Sequence, residues 1–479
     1  MLQETSSLEG SDPGDRSASP SLRRVLGPFA LTMIGVSSVI GVGIFVVSGV
    51  TAAQNTGPAI TLSFLLASLA VLVVALCYCE LAAMMPVAGS SYSYVAESLG
   101  RFPAWLVAWA MLLEYLISVS AVASGWSGYL TGLLAKIGLG LSASVTHAPL
   151  TLDDHLAFSW TGDYGNFPAA LFTLAVTGLL AAGIRESARV NNLVALLKIG
   201  VILVVVGVGA FYVDPANWHP FIPDNSGEWG HFGLSGMMRG TAIAVWVYIG
   251  FETISTCAQE AKNPKRDLAI GMLATMAICT VLYLAISLVM TGLVPSSRLG
   301  VPDPVVVALD AIGPQWSWLV TLVSIGALIG IGSTLLATLY GQIRIFYIMA
   351  RDGQLPKSFA LIHPRYRTPV IATWATGGIC AAISFLLPID MLAELVSMGT
   401  LLAFAAVCAA VLVFRHLQPD RERPFRLWGS PFIPALGVVI CLGLMASMPL
   451  RSWVQLIGWM ALGAGLYRRP GSGRGKRTR

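Results

Sequence analysis

Three ionisable side chains lie inside long apolar runs: Glu114, Lys198 and Glu252. An ionised group facing lipid near a bilayer centre costs about 2.5–3.5 kcal/mol or more. Such groups face a protein interior or change charge. Lys198 follows Asn191 by seven residues, which puts it about 10 Å inward at about 1.5 Å per helical residue. Two readings are open for it. It snorkels back to the interface, or it is a proton-binding amine, since burial disfavours a charged ammonium. Glu114, in Leu113-Glu114-Tyr115, is either a structural acid or a proton relay and counter-charge. Glu252 either accepts freed backbone N–H groups or carries a proton; the first reading is preferred.

Two glycine-bearing stretches suggest a second kind of chemistry. The run Gly35-Val36-Ser37-Ser38-Val39-Ile40-Gly41-Val42-Gly43-Ile44-Phe45 holds three Gly and two Ser in nine residues. These are poor helix formers. They allow close helix packing, or an unwound stretch whose free amides and carbonyls line a cavity. The run Trp246 to Thr256 places Gly250 mid-span with Glu252 two residues later. The two runs are five apolar segments apart, the spacing of two inverted five-helix repeats that each open with a broken helix. Half-helix N-termini offer N–H groups to a carboxylate, and freed carbonyls accept from an ammonium. A zwitterionic amino acid carries both.

The elements that must position these groups follow from composition. Hydrophobic residues make up 56% of 479, charged residues 11%, and the mean hydropathy is +0.74. A soluble domain is about 25% charged. A soluble globular enzyme, a disordered chain, a collagen-like chain and a coiled coil are all excluded. The seven cysteines lie in or beside apolar runs and imply no disulfide framework. Cys77 and Cys79 are read as small packing residues rather than metal ligands. No P-loop, HExxH or GxSxG occurs, so neither ATP-driven pumping nor the common hydrolase chemistries have support. The expectation is a non-enzyme with no cofactor and no metal.

Twelve stretches are long enough to be spans at about 20 residues per helix. They run 30–50, 58–82, 103–130, 168–183, 191–213, 237–259, 268–293, 315–343, 370–387, 391–414, 431–448 and 452–467. With the N-terminus cytoplasmic, 24 of the 29 Lys and Arg fall on the cytoplasmic side. Lys136, Arg239, Arg298 and Arg451 fall outside, and Lys198 lies within a span. Both termini are then cytoplasmic, and the net charge of +5 is a topology signal rather than a nucleic-acid patch. External loops 131–167 and 214–236 are acidic (Asp153, Asp154, Asp163, Asp214, Asp224, Glu228). Glu80 is expected at the interface. Glu260 and Lys262 to Asp267 read as a solvated cytoplasmic loop or gate. No apolar core of a secretory signal begins before Val25. Residues 1–24 and the basic segment 468–479 read as solvated tails.

Four stretches together carry a family resemblance. They are the Gly-rich first span; Leu113-Glu114-Tyr115 through Ala123-Ser124-Gly125-Trp126-Ser127-Gly128-Tyr129-Leu130; Ile249-Gly250-Phe251-Glu252 through Glu260-Ala261-Lys262-Asn263-Pro264-Lys265-Arg266-Asp267; and Tyr340-Gly341-Gln342-Ile343-Arg344 through Ala350-Arg351-Asp352-Gly353. The chain resembles the amino acid–polyamine–organocation superfamily, within it the cationic amino acid transporter group and its bacterial relatives. The likeness covers about residues 24–467.

The resemblance implies an all-α polytopic membrane protein of 12 transmembrane helices with a leucine-transporter-type fold. A first repeat would occupy 25–213, an inverted second repeat 237–414, and two further helices 431–467, with broken helices one and six. It places carboxylate-binding amides at Val42 and Gly43, within the break Val39-Ile40-Gly41-Val42-Gly43. It places ammonium-binding carbonyls at Val39, Trp246, Val247 and Ile249. Trp246 and Phe251 become candidate aromatic lids. Lys198 would stand where sodium-driven relatives bind sodium, tying the fifth helix to the first and eighth. Ile329, beside the G-x-x-x-G of Gly326 and Gly330, becomes a wall of the side-chain pocket. Ser37, Ser38 and Val42 depart from the usual G-x-G-A-I-I-G-T-G-I-F, and Glu252 is often Asp.

Function classes are weighed accordingly. A proton-coupled amino acid symporter in the cytoplasmic membrane ranks first. An exchanger or uniporter ranks second, and a non-transporting sensor third. Expected partners are the amino acid, protons and lipid, with a monomer or weak oligomer and no nucleic acid. The apolar set Val39, Val42, Trp246, Val247 and Ile329 leans toward a broad permease rather than a cationic one.

Overall fold

The computed structural model describes residues 25–85, 90–153, 156–183, 188–258, 260–351, 353 and 355–467. Both expected tails, Arg185 of the topology argument, Asp154 of the acidic loop and Asp352 of the fourth motif lie outside the described residues.

The helices in chain order are α1 (Pro28–Val39), α2 (Ser48–Thr51), α3 (Ile60–Met84), α4 (Ser90–Ser98), α5 (Arg101–Lys136), α6 (Phe167–Ala181), α7 (Ala188–Gly209) and α8 (Gly233–Val247). They continue with α9 (Thr253–Thr256), α10 (Pro264–Leu293), α11 (Pro304–Asp310), α12 (Ser317–Arg351), α13 (Val370–Leu386), α14 (Ile389–Leu417), α15 (Phe432–Ala446) and α16 (Leu450–Tyr467). Each of the twelve apolar stretches carries helix. A spanning segment in lipid must satisfy its own backbone, which leaves helix as the solution for such sequences.

Among the described residues, six helical segments are long and apolar enough to cross a membrane: Gly43–Met84, Arg101–Lys136, Val190–Tyr212, Pro264–Leu293, Pro314–Arg351 and Ile389–Leu417. Pro28–Val39, Phe167–Ala181 and Val370–Leu386 are shorter apolar helices, and α15 and α16 meet at 116°. The protein is therefore a polytopic, mostly helical membrane protein. One non-helical piece was not anticipated. Leu150–Leu152 (β1) and Phe158–Trp160 (β2) pair antiparallel, with Leu150 opposite Trp160. Three-residue strands are too short to leave a readable period, and a lone hairpin needs support from its surroundings.

Helix starts follow local rules. Pro28, Pro168 and Pro264 each sit in a first turn, where the missing N–H costs nothing. Asn166 caps α6 by accepting from Ala169 N at 3.2 Å. Asp267, expected in a solvated loop, is buried and accepts from Asn263 N at 3.0 Å. Long helices then pack side by side: α3 on α10, α5 on both α12 and α14, α1 on α10, α7 and α12. Gly326 and Gly330 let α12 approach α7. A Cβ at Gly326 would lie 2.4 Å from Val201, and one at Gly330 3.1 Å from Lys198 Cγ.

The two ends of the bundle differ in how charge is held. At the end carrying the basic loops, Val25 and Leu26 donate to Glu260 O, both at 3.0 Å, and Lys262 N returns a bond to Leu26 O at 2.8 Å. Glu80, expected at the interface, is 1% exposed. It accepts from Arg415 Nη2 at 2.5 Å and Leu427 N at 2.8 Å, and lies 3.4 Å from Arg423 Nε. Such a group is tolerable in the interior only because it is paired.

At the opposite end, Glu394 Oε1 accepts from Arg239 Nη2 at 2.6 Å, and Oε2 from Arg451 Nη2 at 2.8 Å. Arg451 Nη1 also donates to Leu152 O at 2.6 Å. Lys136 bonds Asp310 at 2.8 Å. Three of the four basic residues assigned to this side are thus charge-paired.

Candidate substrate-binding site

The first helix ends where its glycines are. Ile40 is extended (φ −75°, ψ 102°), and the chain resumes as one wide π-helical turn, Gly43–Val47. Glycine and β-branched residues resist a continuous α-helix here. The exposed carbonyls find partners from other helices. Ser37 O accepts from Lys198 Nζ at 2.6 Å, Val39 O from Tyr283 Oη at 2.9 Å, and Ile40 O from Thr334 Oγ1 at 3.3 Å.

The second break lies between α8 and α9. Gly250 has φ +122°, and a Cβ there would lie 2.8 Å from Ser38 C and 2.9 Å from Val39 N. Only glycine combines that dihedral with that approach. Gly250 N donates to Glu252 Oε2 at 2.9 Å. The carboxylate therefore repairs the backbone that the break opens, the preferred reading of Glu252. Tyr283 Oη also bonds Val247 O at 3.3 Å, so a single phenol spans both breaks.

Between the breaks is a cavity of about 270 Å³. Ser38, Val39, Gly41, Val42 and Gly43 line it from the first break, and Trp246, Val247, Ile249, Gly250 and Glu252 from the second. Tyr115, Ser118 and Val122 form its α5 wall; Thr334, Ala337 and Thr338 form its α12 wall. It runs toward Thr256, Cys257 and the exposed Arg344 at the basic-loop end. A Cβ at Gly43 would lie 2.5 Å from Val247 Cγ1, so the two breaks touch across it.

Lys198 is fully buried, and its Nζ donates to Ser37 O and, at 2.9 Å, to Thr334 Oγ1. It reaches inward across three helices rather than back to the interface.

Four sequence-derived residues lie elsewhere. Ile40 is buried and not on the cavity wall. Phe251, expected as a lid, is fully buried behind the site, with its ring centroid 5.4 Å from that of Tyr78 and 5.7 Å from that of Phe404. Ile329, expected as a pocket wall, is 46% exposed on the outer face of α12; Thr334, Ala337 and Thr338, further along, form the wall instead. Glu114 is buried, its Cβ 3.5 Å from the Cβ that Gly399 would carry, and is absent from the cavity lining. Sequence reasoning missed Tyr283, Thr334, Ser118 and Asn191. A hydroxyl in an apolar helix has a default partner in its own preceding turn, so its sequence context announces nothing.

Comparison with known proteins bears on this arrangement. Residues 26–465 match the family described as amino acid permease. The chain is 41% identical over 452 residues to the methylthioribose transporter of Bacillus subtilis (strain 168), covering 94% of each chain. It is 40% identical over 452 residues to the branched-chain amino acid permease BcaP of the same organism, again over 94% of each. It is 34% identical over 406 residues to human cationic amino acid transporter 4, covering 84% of this chain and 61% of the relative. With a built cavity at two helix breaks and a match over nearly its whole length, the chain belongs to the amino acid permease family.

Proposed function

We propose that the protein is a secondary active transporter that moves neutral amino acids across the cytoplasmic membrane by alternating access, driven by protons. The observation that carries this is Lys198: fully buried, bonded to Ser37 O at 2.6 Å and Thr334 Oγ1 at 2.9 Å. A charged ammonium there ties three helices beside the substrate cavity. Deprotonation would remove one N–H and the positive charge that strengthens both bonds, and so loosen α1 and α12 from α7. That is a route by which proton occupancy biases the shape of the cavity. All twelve helical stretches are read as spans in two inverted five-helix repeats plus two, with both termini cytoplasmic. The cavity then opens inward. Its unwound amides and carbonyls suit the carboxylate and ammonium that all amino acids share.

A neutral side chain is favoured because the one carboxylate on the wall, Glu252, already accepts from Gly250 N at 2.9 Å. Beside the breaks, Tyr115, Ser118, Val122, Thr334, Ala337 and Thr338 give the α5 and α12 walls apolar and hydroxyl groups, and the charged Arg344 lies further along α12. A relative named for branched-chain amino acids supports the same reading. A second reading follows from the relative named for methylthioribose: a neutral thiosugar in the same cavity.

The test is uptake into proteoliposomes of labelled alanine, arginine and methylthioribose, with and without an inward proton gradient. Gradient-driven accumulation of alanine with no arginine uptake is expected. Exchange only between preloaded vesicles would make the protein an exchanger, and Lys198 a fixed structural cation. Accumulation of methylthioribose alone would overturn the amino acid reading.

A further inference from the structure

Most serine and threonine hydroxyls beside the two breaks have spent their proton on a carbonyl of their own helix. Ser38 donates to Ile34 O at 2.9 Å, Thr256 to Thr253 O at 2.7 Å, and Thr338 to Thr334 O at 2.8 Å. Ser118 differs. It is 6% exposed and lines the cavity. Its Oγ accepts from Trp246 Nε1 at 3.3 Å, and among the described residues it donates to none. Its near neighbour Ser120, off the cavity wall, shows the ordinary arrangement, donating to Leu116 O at 2.8 Å. The indole occupies one lone pair of Ser118, and with no carbonyl among the described residues taking its proton, the O–H is free to donate into the cavity.

The placement is specific. Tyr115, Ser118 and Val122 repeat at three and four residues on α5, so one helix face supplies all three to the wall. Trp246 contributes its indole to Ser118 and its backbone to the second break. A substrate held by that break therefore lies within one side-chain length of Ser118.

We propose that Ser118 is the specificity-determining residue of the side-chain compartment. Its hydroxyl donates to an oxygen on the substrate side chain, so the site prefers hydroxylated neutral amino acids to isosteric aliphatic ones. The inference rests on the amino acid reading above. Valine and threonine differ by a methyl for a hydroxyl. An apolar pocket separates such isosteres poorly, whereas a site with a buried donor penalises the analogue that leaves it unpaired. One hydrogen bond contributes about 1 kcal/mol, so a preference of about five- to tenfold is expected.

The test measures binding of alanine, valine and threonine to purified full-length protein, alanine serving as reference. In the wild type, threonine binds about five- to tenfold tighter than valine. Ser118→Ala abolishes or reverses that ratio while alanine affinity stays within about threefold. Trp246→Phe lowers the threonine preference, because Ser118, released by the indole, can donate to its own preceding turn as Ser120 does. Equal loss for all three ligands in Ser118→Ala would overturn the proposal and make Ser118 a positioning residue for the indole. A wild-type threonine-to-valine ratio near one would overturn it too. If alanine itself fails to bind the wild type, the amino acid reading fails instead.

Discussion

One end of the bundle is shut by charge and the other is open beside it. At the sealed end, Arg239, Glu394 and Arg451 have side chains 3%, 5% and 10% exposed. Three helices, α8, α14 and α16, meet there through one carboxylate. At the open end, Arg344 is exposed at the mouth of the cavity, its guanidinium 5.8 Å from the Tyr340 ring centre. Desolvated charges hold a closure only when every donor is met; removing one partner leaves a buried charge uncompensated. In the proposed transport cycle, opening this end would rewet all three groups together, which favours two discrete states over gradual deformation. The breaks lie between the two ends, where Gly250 meets Ser38 and Tyr283 clamps both segments. In the proposed cycle, motion of α8 relative to α1 would pass through that contact.

The largest disruption is at the pivot between the ends. Gly43→Val would drive side-chain atoms into Val247. Substrate binding should fall at least 100-fold while the protein stays folded in detergent; wild-type affinity by calorimetry would remove the broken-helix site.

Next is the seal. Glu394→Gln leaves two buried arginines without their counter-charge, a loss of about 3–5 kcal/mol. The melting temperature should fall. A thiol placed at Asn55→Cys, whose parent amide bonds Gly230 O at 3.0 Å, should react faster with an impermeant reagent. Unchanged labelling would mean that the triad does not seal this end.

Third, Lys198→Met removes both ammonium bonds. Uptake should lose its pH dependence; gradient-driven accumulation at wild-type rates would end the coupling role.

A smaller effect concerns Asp303, outside the spans. Burial pushes its carboxyl up to about 6, against the opposing pull of Lys136. Because the folded value lies above the ordinary aspartate value of about 4, its contribution to stability is present at low pH and is lost as pH rises from about 4 to about 6. The two-unit rise sets an upper bound of about 3 kcal/mol. Asp303→Asn should flatten that part of the melting profile, and an unaltered profile would contradict the assignment.

The smallest effect is at Glu114, which is off the cavity wall. Glu114→Gln should change arginine and alanine binding by the same factor, within about twofold. Selective loss of arginine would return Glu114 to the pocket.

Much of this was legible in the chain. Gly41, Gly43 and Gly250 mark the breaks: a Cβ at Gly41 would lie 2.8 Å from Thr334 Oγ1 and one at Gly43 2.5 Å from Val247 Cγ1, while Gly250 adds a positive φ. Lys198 stands out because a lysine seven residues into an apolar run is costly. Ile329 and Phe251 went the other way. Both sit next to recognisable motifs, yet one faces outward and the other lies behind the site. Adjacency in sequence leaves the helix face to be chosen, and on a membrane helix lipid and core are both apolar, so hydrophobic pattern cannot choose it. The charge triad was half visible: Arg239 and Arg451 appeared as exceptions to the basic-loop rule, but Glu394 gave no sign of being their partner.

Composition and local chemistry by themselves determined a membrane protein and its helical stretches, and marked the positions of its breaks and of its intramembrane lysine with two readings open for each. Each follows from a rule that acts within a few residues: lipid forces helices, glycine permits breaks, and burial penalises charge. Tertiary structure alone decided that Tyr283 joins the breaks, that Thr334 receives Lys198, that Ser118 receives the Trp246 indole, and that Glu394 serves two arginines. Those pairings join groups up to 244 residues apart, and only packing of the helices brings them within hydrogen-bond reach.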